Sequence, residues 1–226
     1  MSVHDGHRAR LRRQLLEGGL DSFSDVQALE LLLGFVIARK DVNPLAHALL
    51  DRFGSLSGVL DAPAGELMKV PGIGENTAVM LSVMPQLMRR YTIGKNKTGT
   101  ILNTTTKAGS YLLPFFFGAK DEQVYLLCLD AKCKVLDCRK LFTGSVNTVG
   151  VSVRRIVEEA LRRNATSVIL AHNHTSGIAL PSREDEETTN MVQAALEAVG
   201  IRLADHMVMV EDDFVSMADS GFFGRR

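Results

Sequence analysis

The apolar positions of the chain follow two rhythms, and the change between them divides it. Up to residue 90 they recur at helical spacing. In HRARLRRQLLEGG, which begins at His7, Leu11, Leu15 and Leu16 fall on one helix face and Gly18 and Gly19 supply the stop. SDVQALELLLGFVIA (24–38) opens with Ser24 and Gln27 at capping-box spacing, then turns almost wholly apolar, which predicts a buried helix. NPLAHALLDRFG (43–54) is predicted to start with Asn43 as N-cap and Pro44 at the first helical position, and to end at Gly54. AGELMKVPGIGENTAVMLSVMPQLMRR (64–90) reads as two helical runs joined by Pro-Gly-Ile-Gly.

YTIGKNKTGTILNTTT (91–106) is polar, rich in glycine and threonine, and without an apolar period. It reads as a boundary, which places a helical domain at 1–92, a linker at 93–105 and a second domain at 106–226. There a helix is expected around 106–117, then strands EQVYLLCLD and KVLDCRKLF across a short turn. VRRIVEEALRRN is helical after Ser152 and ends at Asn164; TSVILAHNH is a short apolar strand; SREDEETTNMVQAALEAVG is a helix. IRLADHMVMVEDDFVSM completes the chain as one or two strands. The mixture predicts an α/β fold for the second domain.

Composition changes this picture little. With 226 residues, 46% apolar and 23% charged, the chain is an ordinary globular protein able to bury a core. Lys+Arg and Asp+Glu both number 26, so net charge gives no general pull toward nucleic acid or membrane. No apolar run approaches the ~20 residues that span a bilayer. The basic start lacks an apolar signal core, so a cytoplasmic protein without a membrane partner is expected. Cys128, Cys133 and Cys138 are odd in number and lack Cys-x-x-Cys spacing, and read as reduced strand and turn residues.

The chemistry concentrates in AHNHTSGIALPSREDEE (171–187). Alternate residues of a strand share a face, so His172 and His174 point one way and Asn173 the other. Asp185, opening the next helix, could fold back as a third ligand. Two imidazoles, a carboxylate and a water describe an open catalytic zinc site, where the water's pKa would fall toward ~7. The same donors also describe the facial triad of non-haem iron oxygenases. Ser182 and Asp185 also make a plain capping box. A metallo-β-lactamase pattern fails, because Thr175 and Ser176 stand where an aspartate and another histidine are needed.

His-x-His, seven residues, Ser, two residues, Asp resembles the JAMM signature of the JAB/MPN metallopeptidases, with His172, His174, Ser182 and Asp185 filling its positions. LAHNHTSG followed by PSREDEE is further similar to the RadC branch. That similarity extends from GHRARLRRQLLEGGL through RKDVNPLAHALLDRFGSLSGVL and VPGIGENTA to ADHMVMVEDDFVSM. The resemblance implies a JAB/MPN (cytidine-deaminase-like) fold and Zn2+ held by His172, His174 and Asp185. It also implies hydrolysis of a peptide or isopeptide bond in an unknown protein or peptide substrate, and by association a place in DNA repair. The family's upstream glutamate falls on Glu122, which the resemblance makes the general base. Ser182 would support the carbonyl oxygen of the tetrahedral intermediate, and its hydroxyl can cap the helix as well. Two departures are Thr175, where RadC relatives usually have Pro, and VSVRR, where Val153 and Arg155 replace Pro and Glu of the usual segment. Neither touches a ligand; both are expected to alter the rim of the cleft. His206, beside Asp205, is read as part of a structural pair.

LMKVPGIGENTAVML resembles a helix–hairpin–helix. Gly72 and Gly74, around Ile73, permit a tight turn whose amides, with the following helix N-terminus, could hold one phosphate. Such contacts position a backbone and read no bases. Residues 1–90 carry ten Lys/Arg and ten Asp/Glu, and Glu75 follows the hairpin where a cation would help. Arg8, Arg10, Arg12 and Arg13 could add phosphate contacts. DNA binding is therefore expected to be weak, salt-sensitive and independent of sequence. The alternatives are docking of a protein partner by this domain, a metal-dependent nuclease, and a non-catalytic DNA-associated scaffold with a structural metal site.

Overall fold

The chain divides after Met88 into two units, each with its own core. The computed structural model describes residues 3–38, 40–144, 149–210 and 212–222. The first unit is helical: α1 (Val3–Gly18), α2 (Asp25–Val36), α3 (Asn43–Phe53), α4 (Leu56–Asp61), α5 (Ala64–Leu67) and the start of α6 (Glu75–Lys95). Leu29, Leu33, Leu49, Leu67 and Leu81 fill its core. The capping box at Ser24 and Gln27 forms in both directions. Gly54 ends α3 in the left-handed region, at φ 84°.

Three expectations are corrected. Leu11 is buried, but Leu16 is 87% exposed, because a residue five positions on has rotated past the apolar stripe that Leu11 begins. Asn43 lies inside α3, whose N-cap is Val42 without a side-chain bond; the Asn43 N–H is taken by Asp41 Oδ1 instead. The expected linker is helical as far as Lys95, and Ile93 and Leu102 both pack on the second unit's core. Its few apolar residues serve as anchors, which a search for periodicity does not register.

The second unit contains α7 (Thr105–Phe116), β1 (Gln123–Leu129), β2 (Val135–Thr143), α8 (Val149–Arg162), β3 (Ser167–Asn173), α9 (Arg183–Glu197), β4 (Arg202–Val210) and β5 (Asp213–Ser216). The sheet order is β2-β1-β3-β4-β5, antiparallel except for the β3/β4 pair. Strand alternation sorts the core into two layers. Tyr125, Leu127, Ile169, Ala171 and Met207 meet α7 residues Leu112, Phe115 and Phe116 on one face. Val124, Leu126, Val168 and Leu170 meet Ile156 and Ala160 of α8 and Val192 and Leu196 of α9 on the other. Helices on both faces bury β1 and β3 along their whole length, which explains their unbroken apolar runs.

One irregularity in β4 matters for the site. Val168 pairs with Leu203 but Ile169 pairs with Asp205, so Ala204 is an extra residue. The bulge rephases the strand: Asp205 faces the α7 side and His206, beside Leu170, faces α9.

The three cysteines are unpaired, and burial pushes the Cys128 thiol up to about 12, far from a reactive value. Among the described residues no helix is long and apolar enough to cross a membrane.

Candidate metal centre

His172 and His174 stand at the carboxyl end of β3, and Asp185 in the first turn of α9, three residues past its N-cap Ser182. One ligand-capable atom from each lies within 4.8 Å of the others, so this trio could hold a metal ion. His172 Nε2 is 3.0 Å from His174 Nε2 and 3.1 Å from Asp185 Oδ1, and His174 Nε2 is 3.3 Å from Asp185 Oδ2. His172 and Asp185 are buried, and His174 is at the mouth with its side chain 17% exposed.

Ser182 shapes the carboxylate. Its backbone N–H and its hydroxyl both donate to Asp185 Oδ2 at 2.7 Å, and its oxygen accepts the Asp185 N–H at 3.1 Å. The capping box thus engages Oδ2 and leaves Oδ1 toward His172. Burial alone would raise the carboxyl's pKa; His172 and the two Ser182 bonds outweigh it and hold Asp185 well below the usual carboxylate range. Because the hydroxyl's one proton is donated to Oδ2, that bond and support of a substrate carbonyl compete for it, while the cap, which uses the oxygen as acceptor, does not.

The other nitrogens also have partners. His174 Nδ1 lies 3.2 Å from the Ile178 carbonyl, and His172 Nδ1 lies 2.8 Å from Nε2 of fully buried His206. His206 Nδ1 is 2.6 Å from Thr189 Oγ1. Burial pushes the His206 pKa well down, which keeps the ring neutral. Asp205 turns away to Ser216 Oγ and the Ala218 N–H, so it and His206 are both buried outside the donor trio but do not bond to each other through their side chains. As consecutive strand residues they face opposite sides of the sheet.

Glu122 immediately precedes β1. Val124, opposite His172, is the last residue of β1 in register with β3, and Glu122, two residues outward, shares the face of Val124 by alternation. Asn173 does point away from the two histidines, as alternation requires, but it is buried and bonded to the backbone at Asp121 and Gln123. Of the two departures, Val153 packs on the core beneath α8 and the Arg155 guanidinium lies 5.3 Å from the Phe142 ring centre. Thr175 is exposed just after His174.

Thr189 escaped the sequence reading, and so did the contacts that His206 makes with His172 and Asn173 with the backbone around Glu122. The signal for His206 was its place in an apolar strand, but the bulge that aims it at α9 leaves no trace in the apolar pattern.

Two family models match the chain. One, described as a UPF0758 N-terminal region, covers residues 6–79. The other, a RadC-like JAB domain, covers residues 102–222 and so spans the sheet, both flanking helical layers and the whole donor set. The chain therefore belongs to the RadC-like JAB family, whose domain is that of JAMM-like metal-dependent hydrolases.

Proposed function

We propose that the protein is a zinc-dependent hydrolase of the JAMM type that acts on a peptide or isopeptide bond. The observation that carries this reading is the convergence of His172 Nε2, His174 Nε2 and the Asp185 carboxylate. A carbonyl can only accept, so the Ile178 oxygen requires the proton of His174 on Nδ1 and leaves a lone pair on Nε2. That lone pair faces His172 Nε2 and a carboxylate held in its charged form. Three groups that can each ligate a cation, gathered where two of them are buried, suit a metal ion between them. Two imidazoles and a carboxylate suit zinc, with an open position for water.

When bound there, zinc would supply Lewis acidity and bring a water's pKa toward ~7. The protein's residues do the rest. Glu122, just outside β1 on the face that Val124 shares with His172, takes a proton from the attacking water and delivers it to the departing amine. Ser182 exchanges its bond to Asp185 for one to the substrate carbonyl as charge develops there. Burial of His172 and Asp185 keeps bulk water from competing with these contacts.

The α5–α6 connection supports a helix–hairpin–helix reading with weak, sequence-independent DNA binding. Ile73 is buried in the core between Gly72, at φ 100°, and Gly74, where a β-carbon would meet nothing within 4 Å. The loop is thus fixed by its centre while the backbone around Gly74 stays approachable. Lys40 Nζ lies 3.6 Å from where a β-carbon on Gly72 would sit, a cation the sequence reading overlooked.

The test combines metal analysis of chain purified without chelator with assays on peptide, isopeptide-linked and DNA substrates. One zinc per chain, lost in His172→Ala and His174→Ala, together with metal-dependent amide cleavage, is the expected result. Cleavage of DNA alone would make the protein a nuclease. A full metal complement with no cleavage of any substrate would reduce it to a scaffold.

A further inference from the structure

The geometry points to a hydrogen-bond relay, His206 to Thr189 to the Asp185 backbone, that sets which nitrogen of His172 presents its lone pair to the metal. We infer this role from direction alone. Thr189 Oγ1 lies 2.6 Å from the carbonyl oxygen of Asp185, which can only accept. The single hydroxyl proton must therefore go to that carbonyl; the alternative acceptor, Met217 Sδ, is weak and 3.6 Å away. Thr189 Oγ1 then meets His206 Nδ1, at 2.6 Å, as an acceptor, so His206 carries its proton on Nδ1. A neutral imidazole has one N–H and one lone pair, so His206 Nε2 is bare. It accepts from His172 Nδ1 at 2.8 Å, and the lone pair of His172 falls on Nε2, facing Asp185 Oδ1.

The relay begins on the backbone of one donor residue and ends on the ring of another. Asp185 thus takes part twice, through its carboxylate in the cluster and through its peptide carbonyl by fixing His172. All the members are buried: His206, Thr189 and His172 expose 0%, 2% and 1% of their surface, so water is not at hand to substitute. The extra residue Ala204 is what makes the relay possible. Without the bulge His206 would face α7, and the ring of His172 would have no partner from β4. His206 and Thr189 are positioning residues, since neither belongs to the donor trio.

This inference rests on His172 being a metal ligand, and its test is chosen to fail separately. In the full-length chain labelled with 15N-histidine, long-range proton–nitrogen correlation reads the tautomer of each ring, with and without zinc. His206 is expected to be protonated on Nδ1 and bare on Nε2. Thr189→Val keeps the volume but removes the acceptor; it should take the proton off His206 Nδ1 and weaken zinc binding about 10–100-fold in chelator competition. Thr189→Ser should restore both. A wild-type His206 protonated on Nε2 overturns the relay. So does a folded Thr189→Val chain with an unchanged His206 tautomer and unchanged zinc affinity. If Thr189→Val does not fold, His206→Gln decides, because its amide can accept from His172 and donate to Thr189. It should hold zinc within a few-fold of wild type where His206→Leu does not, and equal losses in the two would refute the relay. Zinc held through the predicted tautomers by a chain that cleaves no substrate would remove the hydrolase reading and leave the relay intact.

Discussion

The side-chain amide of Asn173 holds the backbone on both sides of Glu122. Its oxygen accepts the Gln123 N–H at 2.7 Å and its nitrogen donates to the Asp121 carbonyl at 3.2 Å. Glu122 lies just outside β1, where pairing with β3 has ended, and Asn173 holds that side while the Gly144 N–H bonds the Glu122 carbonyl. Residues 172 to 174 therefore serve both faces of the sheet: two imidazoles toward the candidate donor cluster and, between them, an amide that holds the backbone beside the candidate base.

Asn173→Ala should accordingly lower turnover while leaving zinc content unchanged. It removes both bonds and leaves the buried Gln123 N–H without a partner, a cost of about 1–3 kcal/mol. Asn173→Asp keeps the acceptor but turns a carboxylate oxygen toward the Asp121 carbonyl, and should be no better. Wild-type kcat in a folded Asn173→Ala chain would show that Glu122 needs no such support.

Glu122 and Asp185 should separate cleanly in a two-way assay. Glu122→Gln removes a proton acceptor and no ligand, so zinc stays stoichiometric while hydrolysis falls about a hundredfold to ten-thousandfold. Asp185→Ala loses both. Glu184, Glu186 and Glu187 in the same helical turn should each matter by no more than ~1 kcal/mol of helix-dipole stabilisation. Full activity in Glu122→Gln, with loss in one of those three, would move the base to α9.

Much of this site was legible because it is local. His172, His174, Ser182 and Asp185 lie within one strand, one loop and one helix start, so spacing and alternation bring them together. His206 and Thr189 come from β4 and α9, and the bulge at Ala204 that aligns them depends on pairing with β3, which one sequence does not display. The helical unit shows the same division. Ser24 and Gln27 form a local capping box and were readable; the packing of Ile93 and Leu102 on the second unit's core is not local and was not.

Gly109, inside α7, marks the closest approach of that helix to β5. A β-carbon there would lie 2.3 Å from the Phe214 ring. Although alanine is the better helix former, Gly109→Ala should destabilise the chain by about 1–3 kcal/mol through overpacking. Denaturant unfolding measures this, and Phe214→Leu in the same chain should return part of the loss. An unaltered midpoint in Gly109→Ala would show that the ring can move aside at no cost.

Acid sensitivity should trace in part to Asp137. Burial pushes its carboxyl up, but the hydrogen bond and charge of Arg163 outweigh that and leave it below its ordinary value. A carboxylate depressed in the folded state adds stability above its unfolded pKa of ~4, and that stability disappears as pH falls through the folded value. Asp137→Asn should therefore lower stability at neutral pH and flatten the loss between about pH 4 and the acid limit. Parallel acid-unfolding curves for variant and wild type would exclude this source.

The loop at Gly72–Gly74 gives the final prediction, tested in the full-length chain. Gly74 has open space around it and an ordinary φ, so Gly74→Val should fold while placing two methyl groups where a phosphate would approach. Lys40→Ala removes the cation beside Gly72 without touching the loop's backbone. If the loop holds one phosphate, both changes should weaken duplex binding equally for unrelated sequences, because a phosphate contact reads no bases. They should differ in salt dependence. Each phosphate neutralised by a cation contributes a slope of about −0.9 in a plot of log affinity against log salt, so Lys40→Ala should flatten the line by about one and Gly74→Val should leave it nearly parallel. The equal numbers of acidic and basic residues over 1–90 make the starting affinity low, so the measurement belongs at low ionic strength. Folded variants that both bind DNA like wild type would leave this loop to a protein partner.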